Sequence, residues 1–124
     1  MTAKSIKGKS TEEIQVALQQ AMNDGFKPTL AIAFISIKQD RRAVCELLSN
    51  KGIDIFGATS CAEFSNDHES EGGAVIMLFD MNRDNYSILF TPIEGDSINN
   101  AVAFTSNFAK QKFTNPSLII CSTG

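Results

Sequence analysis

Ile53-Asp54-Ile55-Phe56-Gly57-Ala58-Thr59-Ser60-Cys61-Ala62-Glu63-Phe64 is an apolar run that stops abruptly in small hydroxyl and thiol residues beside a carboxylate. It reads as a buried strand, Ile53 to Ala58, emptying into a polar pocket. Backbone N–H groups and short polar side chains at such a strand end approach a small molecule without obstruction, and open α/β sheets place ligands there. Working back, Asp40 to Asn50 predicts a helix with Ala43, Val44, Leu47 and Leu48 inward and Lys51-Gly52 at its exit. Before it, Thr29-Leu30-Ala31-Ile32-Ala33-Phe34-Ile35-Ser36 is a continuous apolar run of strand length, the pattern of a central strand covered on both faces. Strand, helix and strand with short links make a βαβ unit, whose crossover forces the two strands parallel.

Outward from this unit, Ser10-Thr11-Glu12-Glu13 is a capping box opening a first helix. Ile14, Ala17, Leu18, Ala21 and Met22 form its stripe, and Asp24-Gly25 with Pro28 its stop. Residues 1–9, with Lys4, Lys7 and Lys9, read as a flexible polar leader, and 10–124 as a single α/β domain. After Cys61 the chain turns polar, and Ser65 to Glu71 reads as a surface loop. Gly72-Gly73 opens a third strand, Ala74 to Phe79. Asn82-Arg83-Asp84-Asn85 predicts a turn and Tyr86 to Thr91 a returning strand, together an antiparallel hairpin. Asp96 or Ser97 caps a third helix with Ile98, Ala101, Val102, Phe104, Phe108 and Ala109 on its apolar face. Leu118-Ile119-Ile120-Cys121 predicts a final buried strand. The expected fold is α/β: a mixed, mostly parallel five-stranded sheet packed by about three helices. A helix covering the last strand would normally follow it, so the expectation is the N-terminal part of a larger domain, truncated or cut.

If the hairpin forms and the remaining links are crossovers, four strand ends converge on one edge. They carry Ser36, Thr59-Ser60-Cys61, Thr91 and Cys121-Ser122-Thr123. The candidate ligand-binding residues are therefore Thr59, Ser60, Cys61, Glu63, Ser122 and Thr123. Glu63, just beyond a buried strand, suits an ammonium or another hydrogen-bonding ligand group.

Composition excludes several classes. At 124 residues with net charge −3 and scattered lysines and arginines, the chain lacks a nucleic-acid footprint. No apolar run reaches the roughly 20 residues of a bilayer span, and Met1 to Ser10 lacks the centre of a secretory signal. Membrane insertion is not expected, and the default location is cytoplasmic. Cys45, Cys61 and Cys121 are an odd number without C-x-x-C spacing, which fits a reducing compartment. Three distant thiols and His68 are too few for a structural metal, and no cofactor is expected.

Phe56-Gly57-Ala58-Thr59-Ser60-Cys61-Ala62-Glu63-Phe64, followed by a polar loop, Glu71-Gly72-Gly73 and an apolar strand, resembles the N-terminal domain of the FIST (F-box and intracellular signal transduction) sensory family. Family members run from a strand into a Gly-Cys-Ser/Thr-Thr-x-Gly-Glu-like sequence and then a Gly-Gly-led strand. Ala58 stands where cysteine is common and Ala62 where glycine is common, whereas Glu63 matches. The resemblance covers Thr29 to the C-terminus. It implies a domain that continues further, binding of a small polar metabolite such as an amino acid or derivative, and coupling to a signalling output domain.

Two other readings stay open. Ser60 or Cys61 with His68 could serve a hydrolase, including the first subunit of a self-processed one, although Gly-x-Ser-x-Gly and the phosphate- and dinucleotide-binding glycine motifs are absent. Catalysis is the minority reading. The third is an interaction module without a small ligand, whose incomplete sheet leaves an edge and a face that favour a homo-oligomer.

Overall fold

The computed structural model describes residues 1–60, 63–65, 68–70, 72–92, 95 and 98–121, with the side chains of 63–65 and 68–70 excepted. It is a mixed α/β structure whose contacts divide into two units, Met1–Arg83 and Asp84–Gly124.

The first unit contains strands β1 (Ala3–Gly8), β2 (Leu30–Ser36), β3 (Asp54–Ser60), β4 (Glu63–Ser65), β5 (His68–Ser70) and β6 (Ala74–Phe79), and helices α1 (Thr11–Met22) and α2 (Arg41–Ser49). The main sheet has four strands in the order β1-β6-β2-β3. β2 and β3 are parallel, pairing Leu30 with Asp54 through to Ser36 with Ser60. This is the βαβ unit expected from the central runs, with β2 a central strand; β3, expected as a buried strand over Ile53 to Ala58, is instead an edge strand that runs on through Ser60 and has no buried residue. β6 is antiparallel to β1 and to β2. The chain thus advances in the same direction along the sheet from β1 to β2 and from β2 to β3. Crossovers of one hand must then leave both helices on one face. The core agrees: Ile14 and Leu18 of α1 and Val44 and Leu48 of α2 pack with Ile6, Ala31, Ala33, Ile35, Ala74, Ile76 and Leu78.

Local chemistry sets the helix ends. The Ser10 hydroxyl accepts from Glu13 N at 3.2 Å, and the Asp40 carboxylate accepts from Ala43 N at 3.0 Å. The Glu13 carboxylate reaches back one residue further than a capping box requires, accepting from Lys9 N at 2.7 Å. Gly25 ends the first helical segment with φ 88°, a conformation that favours glycine.

Several expectations are corrected. Residues 3–8 are not leader but β1, held by a six-residue ladder and by the buried Ile6, while Asp80 clasps Thr2 at its start. The return strand Tyr86 to Thr91 does not form, because β1 and β2 already occupy both edges of β6. The turn expected just before it does form, as a 3-10 turn over Arg83–Asn85, and Arg83 bonds Gly52 O and the Asp54 carboxylate. Part of the polar stretch after Cys61 is a small antiparallel ladder, β4 with β5. Finally, two of the three main-sheet pairings are antiparallel, so the sheet is neither five-stranded nor mostly parallel.

The sheet face opposite the helices carries Ile32, Phe34, Phe56, Val75 and Met77, with Ile32 beside both Phe56 and Met77. Phe34 and Met77 are exposed, so β2 is not buried on both faces along its whole length.

The second unit holds α3 (Ile98–Lys112). Its expected caps, Asp96 and Ser97, lie outside the described residues. Ala109 is buried, and Lys110 and Lys112 in the last turn complement the helix dipole. Leu118 to Cys121 is not a strand, and Leu118, Ile119 and Ile120 are exposed. No helix among the described residues is long and apolar enough to cross a membrane.

Candidate functional site

The β2–β3 register brings three hydroxyl residues to one sheet edge. Ile35 pairs with Thr59 and Ser36 with Ser60, so both strands end together. Thr59 is exposed, Ser60 half-buried and Ser36 buried. The Ser36 hydroxyl accepts from Lys38 N at 3.2 Å, which turns the chain sharply toward α2. Ser36 N donates to Gly73 O at 2.9 Å, tying the exit of β2 to the entry of β6. Ser36 is therefore a structural member of this edge, and Thr59 is the hydroxyl residue most open to solvent.

One organising residue carries little sequence signal. Gln39 stands between strand and helix, where no periodicity marks it. Its side-chain amide donates to Lys9 O at 2.6 Å and to Gly72 O, joining the exit of β1, the turn before α2 and the approach to β6. One side chain thus bridges an exposed and a part-buried carbonyl, which stiffens the rim around the β2–β3 ends. The stem of the exposed Lys38 lies beside Gly72, adding a cation at this rim.

Thr59 and Ser60 are thus placed together as expected. Glu63 opens β4, which lies against β2 and β6, and His68 opens β5 opposite Ser65. Cys61, Ser122 and Thr123 lie outside the described residues. Thr91 and Cys121, expected at strand ends on the same edge, are not in strands. The convergence of four strand ends therefore reduces to two, those of β2 and β3, because the hairpin and the last strand on which it depended do not form.

Close backbone approach characterises the middle of β3. A Cβ on Gly57 would run into the Ala33 carbonyl, so the small residue there is required by strand pairing. Cys45 is half-buried on α2 against the core, as expected of a small hydrophobe. Among the described residues, no group of three or more His, Cys, Asp or Glu side chains is placed to hold a metal ion. The charge perturbation that stands out lies elsewhere. The Asp24 carboxyl is held below the usual carboxylate range, chiefly by its hydrogen bond from Lys4 and then by that from Phe26 N. This pair serves the end of α1 rather than the rim.

No protein-family model, curated protein or solved structure matches the chain.

Proposed function

We propose that the chain is a non-catalytic, small-molecule-binding sensory domain of the FIST type, acting in the cytoplasm upstream of a signalling output domain. The observation that supports this reading is the paired ending of parallel strands β2 and β3 in Ser36, Thr59 and Ser60. Strand carboxyl ends of this kind offer backbone N–H groups and short polar side chains that a small polar molecule can approach closely. In the proposed complex, an amino acid or related polar metabolite sits at Thr59 and Ser60. Glu63 receives its ammonium, and Lys38 supplies charge of the opposite sign for a carboxylate. Cys61, Ser122 and Thr123 complete the proposed set.

Thermal unfolding of the protein against a panel of amino acids and related metabolites tests the proposal. A ligand that prefers the folded state raises the midpoint, by about 2.7 kcal/mol of stabilisation at a hundredfold excess over Kd. The expected result is a ligand-specific rise that is abolished in Glu63→Ala and reduced in Thr59→Ala. A folded protein whose midpoint moves with none of the panel would overturn the reading.

A further inference from the structure

The two edges of the main sheet are chemically different. β1 closes one edge with Lys4 and Lys7 inside the strand and Lys9 just beyond it. Charged side chains on an edge, lysine above all, discourage pairing with another strand. β3 closes the other edge and carries a single charge, Asp54, at its first position. That carboxylate is already paired with Arg83 at 3.2 Å. The rest, Ile55-Phe56-Gly57-Ala58-Thr59-Ser60, is uncharged, and Gly57, Ala58 and Thr59 are exposed. No described strand pairs with its outer edge.

We infer that β3 is a self-recognition edge, at which two copies of this chain pair antiparallel about a two-fold axis through Gly57. An antiparallel pair related in this way keeps the same sheet face upward, so directly opposed residues share a face. Centred on Gly57, the pairing sets Phe56 opposite the partner's Ala58 and Ile55 opposite the partner's Thr59. Large side chains meet small ones on both faces, without a like-charge pair. The two Asp54 carboxylates end about 20 Å apart, each opposite a Ser60 hydroxyl. The central glycines present no side chain to each other. On the open face, the strip of Ile32, Phe34, Phe56, Val75 and Met77 continues across the junction into its symmetry mate. The result is an eight-stranded sheet whose outer edges are the two lysine-bearing β1 strands. At β1 the incoming strand would instead meet Lys7 on one face and, on the other, Lys4, whose ammonium already serves Asp24, and charged edge side chains of this kind disfavour strand addition. Of the two edges, β3 is the one without lysine. This inference does not rest on the ligand reading, since it concerns the side of β3 rather than its end.

Sedimentation of the whole chain across a range of micromolar concentrations tests it. The expected species is a dimer of twice the 13.5 kDa chain mass. Ala58→Lys, which places a charge on the outer edge beside Gly57, should weaken self-association at least tenfold. Ser5→Lys, on the β1 edge, should leave it unchanged. A monomer throughout, a dimer that survives Ala58→Lys, or equal loss in both variants would each overturn the inference. Circular dichroism identifies a variant that fails to fold. In that event, amide exchange of the unaltered protein decides. Outward-facing β3 amides should gain protection as concentration rises, and protection independent of concentration would overturn the proposal.

Discussion

Lys4 supplies what α1 lacks. The last turn of that helix contains no basic residue, yet its carboxyl end carries the negative pole of the helix dipole. The Lys4 ammonium comes from β1 instead, donating to Ala21 O and to the Asp24 carboxylate, both at 2.7 Å, while lying 4.9 Å from the centroid of the Phe26 ring. Because the folded-state pKa of Asp24 is lowered, its contribution to stability is fully present above the unfolded carboxylate value. It is lost as pH falls through the lowered folded value. The pair is exposed enough for solvent to screen it. Lys4→Met should therefore raise the Asp24 pKa toward the ordinary carboxylate range in an NMR titration, with little change in neutral-pH stability. An unaltered Asp24 titration in that variant would show that another group holds the carboxylate. Sequence offered no hint of this contact, because Lys4 and Asp24 belong to segments brought together only by the sheet.

At the scale of elements, the best-read parts of the chain are those whose ends are signed locally. Ser10 caps α1 where the sequence places it, Asp40, the first residue of the expected second helix, caps α2, and Ala74 to Phe79 is a strand as its apolar run predicts. Ser10→Ala removes an acceptor from the first turn of α1 and should cost about 1 kcal/mol. Urea unfolding should show this as a lower midpoint with an unchanged slope. A fall in slope instead would mean that α1 had detached from the sheet rather than lost a cap. β1 and Tyr86 to Thr91 depart from their sequence expectation for different reasons. β1 looked like a solvated tail because an edge strand carries lysines for its own protection. Tyr86 to Thr91 has the side chains of a strand, but β6, its intended partner, has no vacant edge. Propensity cannot report occupancy.

For the first unit as a whole, β1 is the element whose status as strand or tail bears most on stability. A flexible leader can be removed at no cost to the fold. A six-residue ladder with Ile6 buried cannot, since burial of one isoleucine alone is worth roughly 2–3 kcal/mol. Deleting residues 1–8 also bares the edge of β6, whose Ala74, Ile76 and Leu78 lie in the core. The expected outcome is loss of the cooperative thermal transition, or a midpoint lower by roughly 10 °C or more. An unchanged midpoint would return these residues to the status of a tail. The rim at Thr59 and Ser60 depends on the same assembly, because Gln39 holds it partly through the Lys9 carbonyl at the end of β1.

The sequence by itself determined the local structure of the first unit: the capped helices, the apolar runs of β2, β3 and β6, and the parallel pairing of β2 with β3. Each of these follows from neighbours within a few residues or from the short crossover that links them. It also brought Thr59 and Ser60 to a strand end, because a side chain's place along a strand is a matter of counting. Only the tertiary structure decided that β6 is flanked by β1 and β2, so that residues 86–91 find no edge on it, and that Gln39 fastens the rim. Those outcomes depend on which edges and carbonyls remain unsatisfied once distant segments meet, and no local pattern records that competition.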